Sequence, residues 1–187
     1  MDRPDRLEQL VQSYGALVAR PWDLRSGSAP RIWFAVYDPA DERRVRARLG
    51  EFEALTRESG RGWHACDFSG TFAAWLTAHR YREAYFESPH DLRGRLRDFR
   101  DVVAAQLSSA LAAGGFEGVV AVTGLASLRG FVTVPEFLED ARERVLGRLL
   151  VLFPGSYEAA AYRFLDGRDL ASYPVTRVSG AEGGLAP

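Results

Sequence analysis

The chain has 187 residues, a formal net charge of -1 and 47% hydrophobic residues, so it lacks the basic surplus of a dedicated nucleic-acid binder. All 24 basic residues are arginines, which excludes a lysine-bearing phosphate loop, a lysine Schiff base and a Ser-Lys catalytic pair. The single cysteine, Cys66, excludes an internal disulfide. No apolar run reaches the roughly 18 residues that span a bilayer, and the N-terminus is unlike a signal peptide, so we expect a cytoplasmic protein.

Hydrophobic periodicity divides the chain into alternating helices and strands. The predicted elements are, in chain order, a helix over 7–18, a strand over 32–37, a helix over 39–59, a strand over 63–68, helices over 71–86 and 92–113, a strand over 118–123, a helix over 134–145, a strand over 149–153, and short strands over 162–165 and 175–178. The Gly-rich tail over 179–187 is expected to be disordered.

Capping and turn residues set several of these boundaries. Ser88 and Thr133 each begin a capping-box pattern, and Asp38 followed by proline is typical of a helix start. Pro154 and Gly155 directly follow the fourth apolar strand, and we expect them to end it in a sharp turn that presents Tyr157.

Strands that alternate with helices predict an α/β fold, with a mostly parallel central sheet and helices on both faces. The layout is Rossmann-like or P-loop-like but lacks a phosphate-binding motif, and residues 1–178 are expected to form a single domain. Ligands of such sheets bind beyond the carboxyl ends of the strands. We therefore expect the loops over 37–41, 123–129 and 153–157 to share one edge.

Polar residues at this predicted edge leave two interpretations open. Asp38 and Asp41 follow the first strand, where carboxylates could hold a metal or act as a base, or could cap the next helix. Thr123 and Gly124 follow the third strand. No third metal ligand stands at a diagnostic spacing, and neither a Gly-x-Ser-x-Gly elbow nor a Gly-x-Gly-x-x-Gly fingerprint is present. We expect no catalytic set, no metal and no cofactor.

Two arginine-rich stretches, over 43–48 and 93–100, are interleaved with carboxylates and lie opposite apolar stripes. Solvated helix faces are the expected interpretation. DNA binding is the alternative, and clustering of the arginines of both stretches on one surface would favour it.

Three segments and part of the closing segment together carry a resemblance to a known family. The stretch 150–158, an apolar strand followed by Phe-Pro-Gly-Ser-Tyr-Glu, precedes a Tyr-Arg-Phe-Leu strand at 162–165. The first strand ends in Tyr-Asp-Pro at 37–39, and the third ends in Thr-Gly at 123–124. These segments resemble the BrxB family, and in the closing segment Tyr173 and Arg177 match that family's pattern of tyrosines and an arginine.

The resemblance implies a non-enzymatic subunit of BREX, a bacterial antiphage defence system. Its expected partner is the phosphatase-like protein PglZ. Other BREX components are further candidates, and DNA contact is expected only within the assembly. No membrane contact is expected.

An alternative is a nucleotide- or metal-dependent enzyme with its site at the carboxyl edge of the sheet. The candidate partner-binding or edge-loop residues are Tyr37, Asp38, Asp41, Thr123, Gly124, Pro154, Gly155, Tyr157, Arg163, Tyr173 and Arg177.

Overall fold

The computed structural model describes residues 5–22, 30–167 and 171–179, and six strands within these ranges form one central sheet. The strands are β1 (Ile32–Tyr37), β2 (Gly62–Asp67), β3 (Gly118–Thr123), β4 (Arg148–Glu158), β5 (Ala161–Phe164) and β6 (Thr176–Arg177). Their order is β2-β3-β4-β1-β6 with every pair parallel, and β5 pairs antiparallel with β4. The predicted α/β fold with a mostly parallel sheet is confirmed.

The helices cover both faces of this sheet. Within the described residues they are α1 (Arg6–Val18), α2 (Glu42–Ala47), α3 (Leu49–Glu58), α4 (Thr71–Ala78), α5 (Arg82–Glu87), α6 (Leu96–Gly114) and α7 (Val134–Arg142). One core joins α1, α2 and α3 to the sheet through Tyr14 and Phe52. The other joins α6 and α7 to the opposite face through Phe99 and Phe137. Because both faces are covered, β3 is buried along its whole length.

The predicted helix over 39–59 is wrong in one respect, because a 3₁₀ turn (Pro39–Asp41) and two helices replace it. Asp38 caps the turn, since its Oδ1 accepts the Ala40 N–H at 2.9 Å. Arg48 separates α2 from α3. Its N–H bonds the carbonyl of Val45, three residues back, at 3.0 Å, which tightens the chain out of α-helical geometry.

The prediction for residues 71–113 is also corrected. The helix over 71–86 breaks at His79, which is extended at ψ 134° and whose Nδ1 accepts the Tyr81 N–H at 3.3 Å. The side chain of Ser88 makes no capping bond. A 3₁₀ turn follows it, and the long helix begins at Leu96 rather than at residue 92. By contrast, Thr133 and Glu136 form the complete predicted capping box.

Pro154 and Gly155 do not end the fourth strand, so that expectation is wrong. The N–H of Leu149 donates to the Arg31 carbonyl, on the β1 side of β4. Backbone nitrogens alternate in direction along a strand, so the nitrogen of Pro154 faces the β3 side. The last residue pair between β3 and β4 is at Val151, so β3 has already ended there. The proline therefore removes no bond from the ladder. β5 takes over this side of β4, where the carbonyl of Pro154 accepts the Leu165 N–H at 2.9 Å.

Gly155 allows β5 to pack closely against β4 because it has no side chain. A Cβ there would lie 1.9 Å from the Arg163 carbonyl oxygen. Tyr157 consequently lies within the β4–β5 hairpin, whose turn is formed by Ala159 and Ala160 at positive φ. Apart from Ser179, the predicted disordered tail lies outside the described residues.

Candidate functional site

The carboxyl ends of four parallel strands meet at one edge, as the alternation of elements predicted. Asp67 and Thr123 are register partners at the ends of β2 and β3. Tyr37 is paired with Pro154 across β1 and β4. This carboxyl edge therefore brings most of the predicted candidates to the same side of the sheet.

A cavity of about 460 Å³ opens between the end of β1 and the β4–β5 hairpin. Its lining residues come from α1, the turn after β1 and the hairpin, and include Arg6, Leu7, Leu10, Val36, Tyr37, Asp38, Pro39, Asp41, Gly155, Ser156, Tyr157, Glu158 and Leu165. The lining contains three acidic residues, Asp38, Asp41 and Glu158, and one arginine, Arg6. Five predicted candidates therefore line one cavity.

The two aspartates of this cavity are already engaged. Asp38 caps the 3₁₀ turn, and Asp41 accepts a bond from Arg44 Nη1 at 2.8 Å at the N-terminus of α2. Both positions suit the positive end of the following turn or helix. Within the described ranges, no three histidine, cysteine, aspartate or glutamate side chains converge as metal ligands.

A network of hydrogen bonds connects the β1 end of this edge to the β2 end. Tyr37 Oη donates to Glu42 Oε2, and Arg46 Nε donates to Glu42 Oε1 at 2.7 Å. The same guanidinium reaches Asp67 Oδ2 at 3.4 Å and the hydroxyl of Ser69. Burial, and then the bond to Glu42, raise the pKa of Tyr37, so its hydroxyl stays protonated and serves as a donor.

Asp67 is the central residue of the β2 end, and sequence reasoning did not select it as a site residue. Its Oδ1 accepts the Ser69 N–H at 3.0 Å, the Ser69 hydroxyl at 2.6 Å and the Thr123 hydroxyl at 3.0 Å. Burial works against its ionisation, but these bonds and the one from Arg46 outweigh it and lower the pKa of Asp67 to about 2. The sequence signal available for Asp67 is its position near the carboxyl end of the predicted strand over 63–68.

Gly124 fits closely against the same turn. Its φ is +72°, and a Cβ would lie 2.5 Å from both the nitrogen and the hydroxyl of Ser69. The predicted candidates Thr123 and Gly124 thus hold the β2–α4 connection to the end of β3. A carboxylate of such low pKa is a weak base, so this arrangement fits fixing the turn better than proton abstraction.

Three predicted candidates, Tyr157, Tyr173 and Arg177, form a cluster with Tyr162, which was not among the candidates, and we call these four residues the tyrosine cluster. The rings of Tyr157 and Tyr162 lie 4.7 Å apart, and those of Tyr162 and Tyr173 lie 5.8 Å apart. The guanidinium of Arg177 lies 4.3 Å from the centre of the Tyr157 ring. Burial, and then the neighbouring Tyr157, raise the pKa of Tyr162 to about 12.

Arg163 is the predicted candidate that the structure separates from this cluster. It neighbours Tyr162 on β5, and successive strand residues point to opposite faces. Arg163 is paired with Ser156 on β4, and its guanidinium lies 3.9 Å from Glu158. Arg163 Nε and Ser156 Oγ are buried without a partner among the described residues.

The two arginine-rich stretches lie on opposite faces of the sheet. Residues 43–48 belong to α2 and its end, which pack with α1, whereas residues 93–100 lead into α6 on the other face. Arg44, Arg46 and Arg48 are each paired with a carboxylate. In the described part of the chain, the arginines of the two stretches therefore do not form one surface, which removes the observation that would favour DNA binding.

The fold and this edge define an open, mostly parallel α/β domain with polar groups at the carboxyl ends of its strands. No protein-family model, curated protein or solved structure matches the chain. The similarity to the BrxB family therefore stays a prediction from the residues that carry it. None of the helices in the described ranges has the length and apolarity that crossing a membrane requires.

Proposed function

We propose that this chain is a non-enzymatic, cytoplasmic subunit of a BREX-type antiphage complex and that it binds a PglZ-like protein. The observation that carries the proposal is the tyrosine cluster. Tyr157 comes from one segment of the BrxB resemblance, and Tyr173 and Arg177 come from another, yet their side chains meet through Tyr162. Two segments that separately resemble the BrxB family thus contribute side chains to one cluster at the carboxyl edge.

The chemistry of the tyrosine cluster suits protein binding. Tyrosine and arginine are enriched among the residues that carry most of the free energy of protein interfaces. Arg177 is exposed and lies over the half-buried Tyr157 ring, which holds its planar guanidinium in place. A guanidinium held in this way can bond a carboxylate of the partner through two parallel hydrogen bonds.

Co-expression of this chain with a tagged PglZ-like protein and capture on the tag tests the proposal. We expect the wild-type chain to be captured, and Tyr157→Ala and Arg177→Ala to weaken capture by about tenfold or more, as expected of central interface residues. Arg97→Ala, which removes an exposed arginine from α6, is the matched control and should be captured like the wild type. Circular dichroism checks that each variant is folded.

Two outcomes contradict this proposal at different levels. Absence of wild-type capture, both in the pair and with all BREX components present, contradicts the partner assignment. Wild-type capture that neither Tyr157→Ala nor Arg177→Ala reduces contradicts the assignment of the surface. Arg163→Ala reports on the opposite face of the same strand pair, so a loss limited to that variant would place the contact there.

The cavity at the carboxyl edge favours a second candidate, an enzyme that uses a nucleotide or a metal. Its volume of about 460 Å³ admits a small ligand, and Asp38 and Asp41 lie in its wall. Thermal-shift titrations with nucleotides and with Mg²⁺ or Mn²⁺ test this candidate. A saturable rise in Tm that Asp38→Asn abolishes would support it, and unchanged Tm values would count against it.

A further inference from the structure

The edge strand β2 has backbone hydrogen-bonding groups that face away from the sheet. Gly62 N–H donates to the Glu117 carbonyl, and Phe68 N–H donates to the Thr123 carbonyl, both toward β3. N–H groups alternate in direction along a strand, so residues 63, 65 and 67 direct theirs outward. No strand pairs with this side of β2 within the described residues.

One outward group is already satisfied, and it confirms the direction of the others. The carbonyl of Asp67 accepts a bond from Gln106 Nε2 at 3.0 Å, and Thr71 Oγ1 holds the amide of Gln106 from the other side at 2.9 Å. Gln106 thus closes the carboxyl end of this edge. The N–H and C=O groups of Trp63 and Ala65 and the N–H of Asp67 remain unpaired among the described residues.

A groove runs beside this edge, between β2 and α6. Its volume is about 350 Å³, and its lining residues are His64, Ala65, Cys66, Asp67, Gln106, Ser109, Ala110 and Ala113. The small side chains of Ala110 and Ala113 on α6 keep the groove open opposite His64. Side chains of a strand alternate between two faces, so a strand added to β2 would direct every second side chain into this groove.

Natural sheets usually protect such an edge with a proline, a lysine, a β-bulge or a covering element. The sequence Gly-Trp-His-Ala-Cys-Asp of β2 contains no proline, and its register with β3 is continuous over six residue pairs without a bulge. The edge is therefore regular, with donors and acceptors at the spacing of an extended backbone.

We propose that β2 binds an extended segment of a partner protein, which adds to the sheet as a further strand and places small side chains in the groove beside α6. An extended polypeptide is the occupant because only a backbone supplies donors and acceptors at the spacing of Trp63 and Ala65. The groove favours small side chains, since Ala110, Ala113 and Ser109 line its helical wall beside Gln106. Where that partner is the PglZ-like protein, this inference rests on the proposed function and names a second contact.

The test uses Ala65→Pro, which removes an outward N–H and places a ring where the partner strand would approach. The N–H of Ala65 makes no bond to β3, so the β2–β3 ladder is retained. Ala65→Val is the matched control because it keeps the N–H and favours a strand. Ala113→Leu narrows the groove from α6 and leaves the β2 sequence unchanged, and Ala112→Leu makes the same change one residue away, outside the groove lining.

The first probe is a random heptapeptide library displayed on phage and selected on the immobilised chain. We expect the wild type and Ala65→Val to enrich peptides with alternating small apolar residues, and Ala65→Pro to bind the enriched peptides at least tenfold more weakly. Ala113→Leu should also weaken binding about tenfold, and Ala112→Leu should not. If Ala65→Pro does not fold, the comparison of Ala113→Leu with Ala112→Leu decides whether peptides bind at this groove.

Absence of enrichment, or enrichment that neither Ala65→Pro nor Ala113→Leu reduces, overturns the proposal. Sedimentation of the wild type distinguishes another occupant, because a dimer that Ala65→Pro abolishes would assign the edge to a second copy and overturn a partner strand. Capture of the PglZ-like protein is measured separately. Lost capture with intact peptide enrichment contradicts the proposed function alone, whereas intact capture without enrichment contradicts the strand addition alone.

Discussion

Replacing Gly124 with alanine should destabilise the fold more than the same change at Gly130. Both glycines have positive φ, +72° and +84° respectively, so an alanine at either position incurs the left-handed backbone cost of about 1–2 kcal/mol. A Cβ at Gly130 would meet nothing within 4 Å, but a Cβ at Gly124 would lie 2.5 Å from the Ser69 nitrogen and 2.7 Å from Asp67 Oδ1.

The extra loss at Gly124 comes from moving the turn that follows β2. Both crowded atoms belong to backbone or to a bonded carboxylate, so relief requires the Ser69 turn to shift, and overpacking of this kind costs a further 1–3 kcal/mol or so. We expect a total of about 2–5 kcal/mol for Gly124→Ala and about 1–2 kcal/mol for Gly130→Ala. Only the difference between the two variants reports on the contact with Ser69.

Urea unfolding followed by circular dichroism measures both variants against the wild type, with unchanged m-values as the condition for comparison. Equal losses of unfolding free energy in Gly124→Ala and Gly130→Ala would refute the reasoning, because backbone strain alone would then explain both. A loss at Gly124 that disappears in a Ser69→Ala background would instead locate the crowding at the hydroxyl rather than at the backbone nitrogen.

The other predictions concern the Asp67 network and the helix caps. The pKa of Asp67 is lower in the folded state than in the unfolded state, so its stabilising contribution is complete above about pH 4 and is lost as pH falls toward 2. Urea midpoints of the wild type and Asp67→Asn should therefore converge over that interval, and a constant difference would contradict this. Thr133→Ala should cost about 1 kcal/mol of unfolding free energy through the lost cap, whereas Ser88→Ala, at a capping pattern that forms no cap, should cost almost nothing. Similar losses in the two variants would contradict the assignment of the caps.

Local sequence signals located most of the elements because they depend on neighbouring residues. The run at 118–123 is apolar without interruption, as a strand covered on both faces must be, and the structure buries it fully. The Thr133 capping box also depends on four consecutive residues, and it forms as predicted. Elements that such short-range rules specify were therefore predictable.

Errors arose where the outcome depends on a distant segment. Pro154 and Gly155 have the local signature of a turn, yet β4 passes through them, since β3 has ended on that side and β5 approaches closely at Gly155. The Ser88 pattern matches a capping box, but the chain there closes a 3₁₀ turn instead. Neither the position of β5 nor the onset of α6 is encoded within a window of four residues.

The sequence by itself determined the class of fold, the carboxyl edge and the absence of lysine chemistry, because composition and periodicity are properties of the chain alone. Tertiary structure alone decided which polar groups meet. Asp67 and Thr123 are 56 residues apart, and their bond exists because parallel pairing aligns the ends of β2 and β3. Strand order likewise decided that β2 lies at the edge, with its outward backbone groups available for pairing. Such proximity follows from topology, which local sequence patterns do not specify.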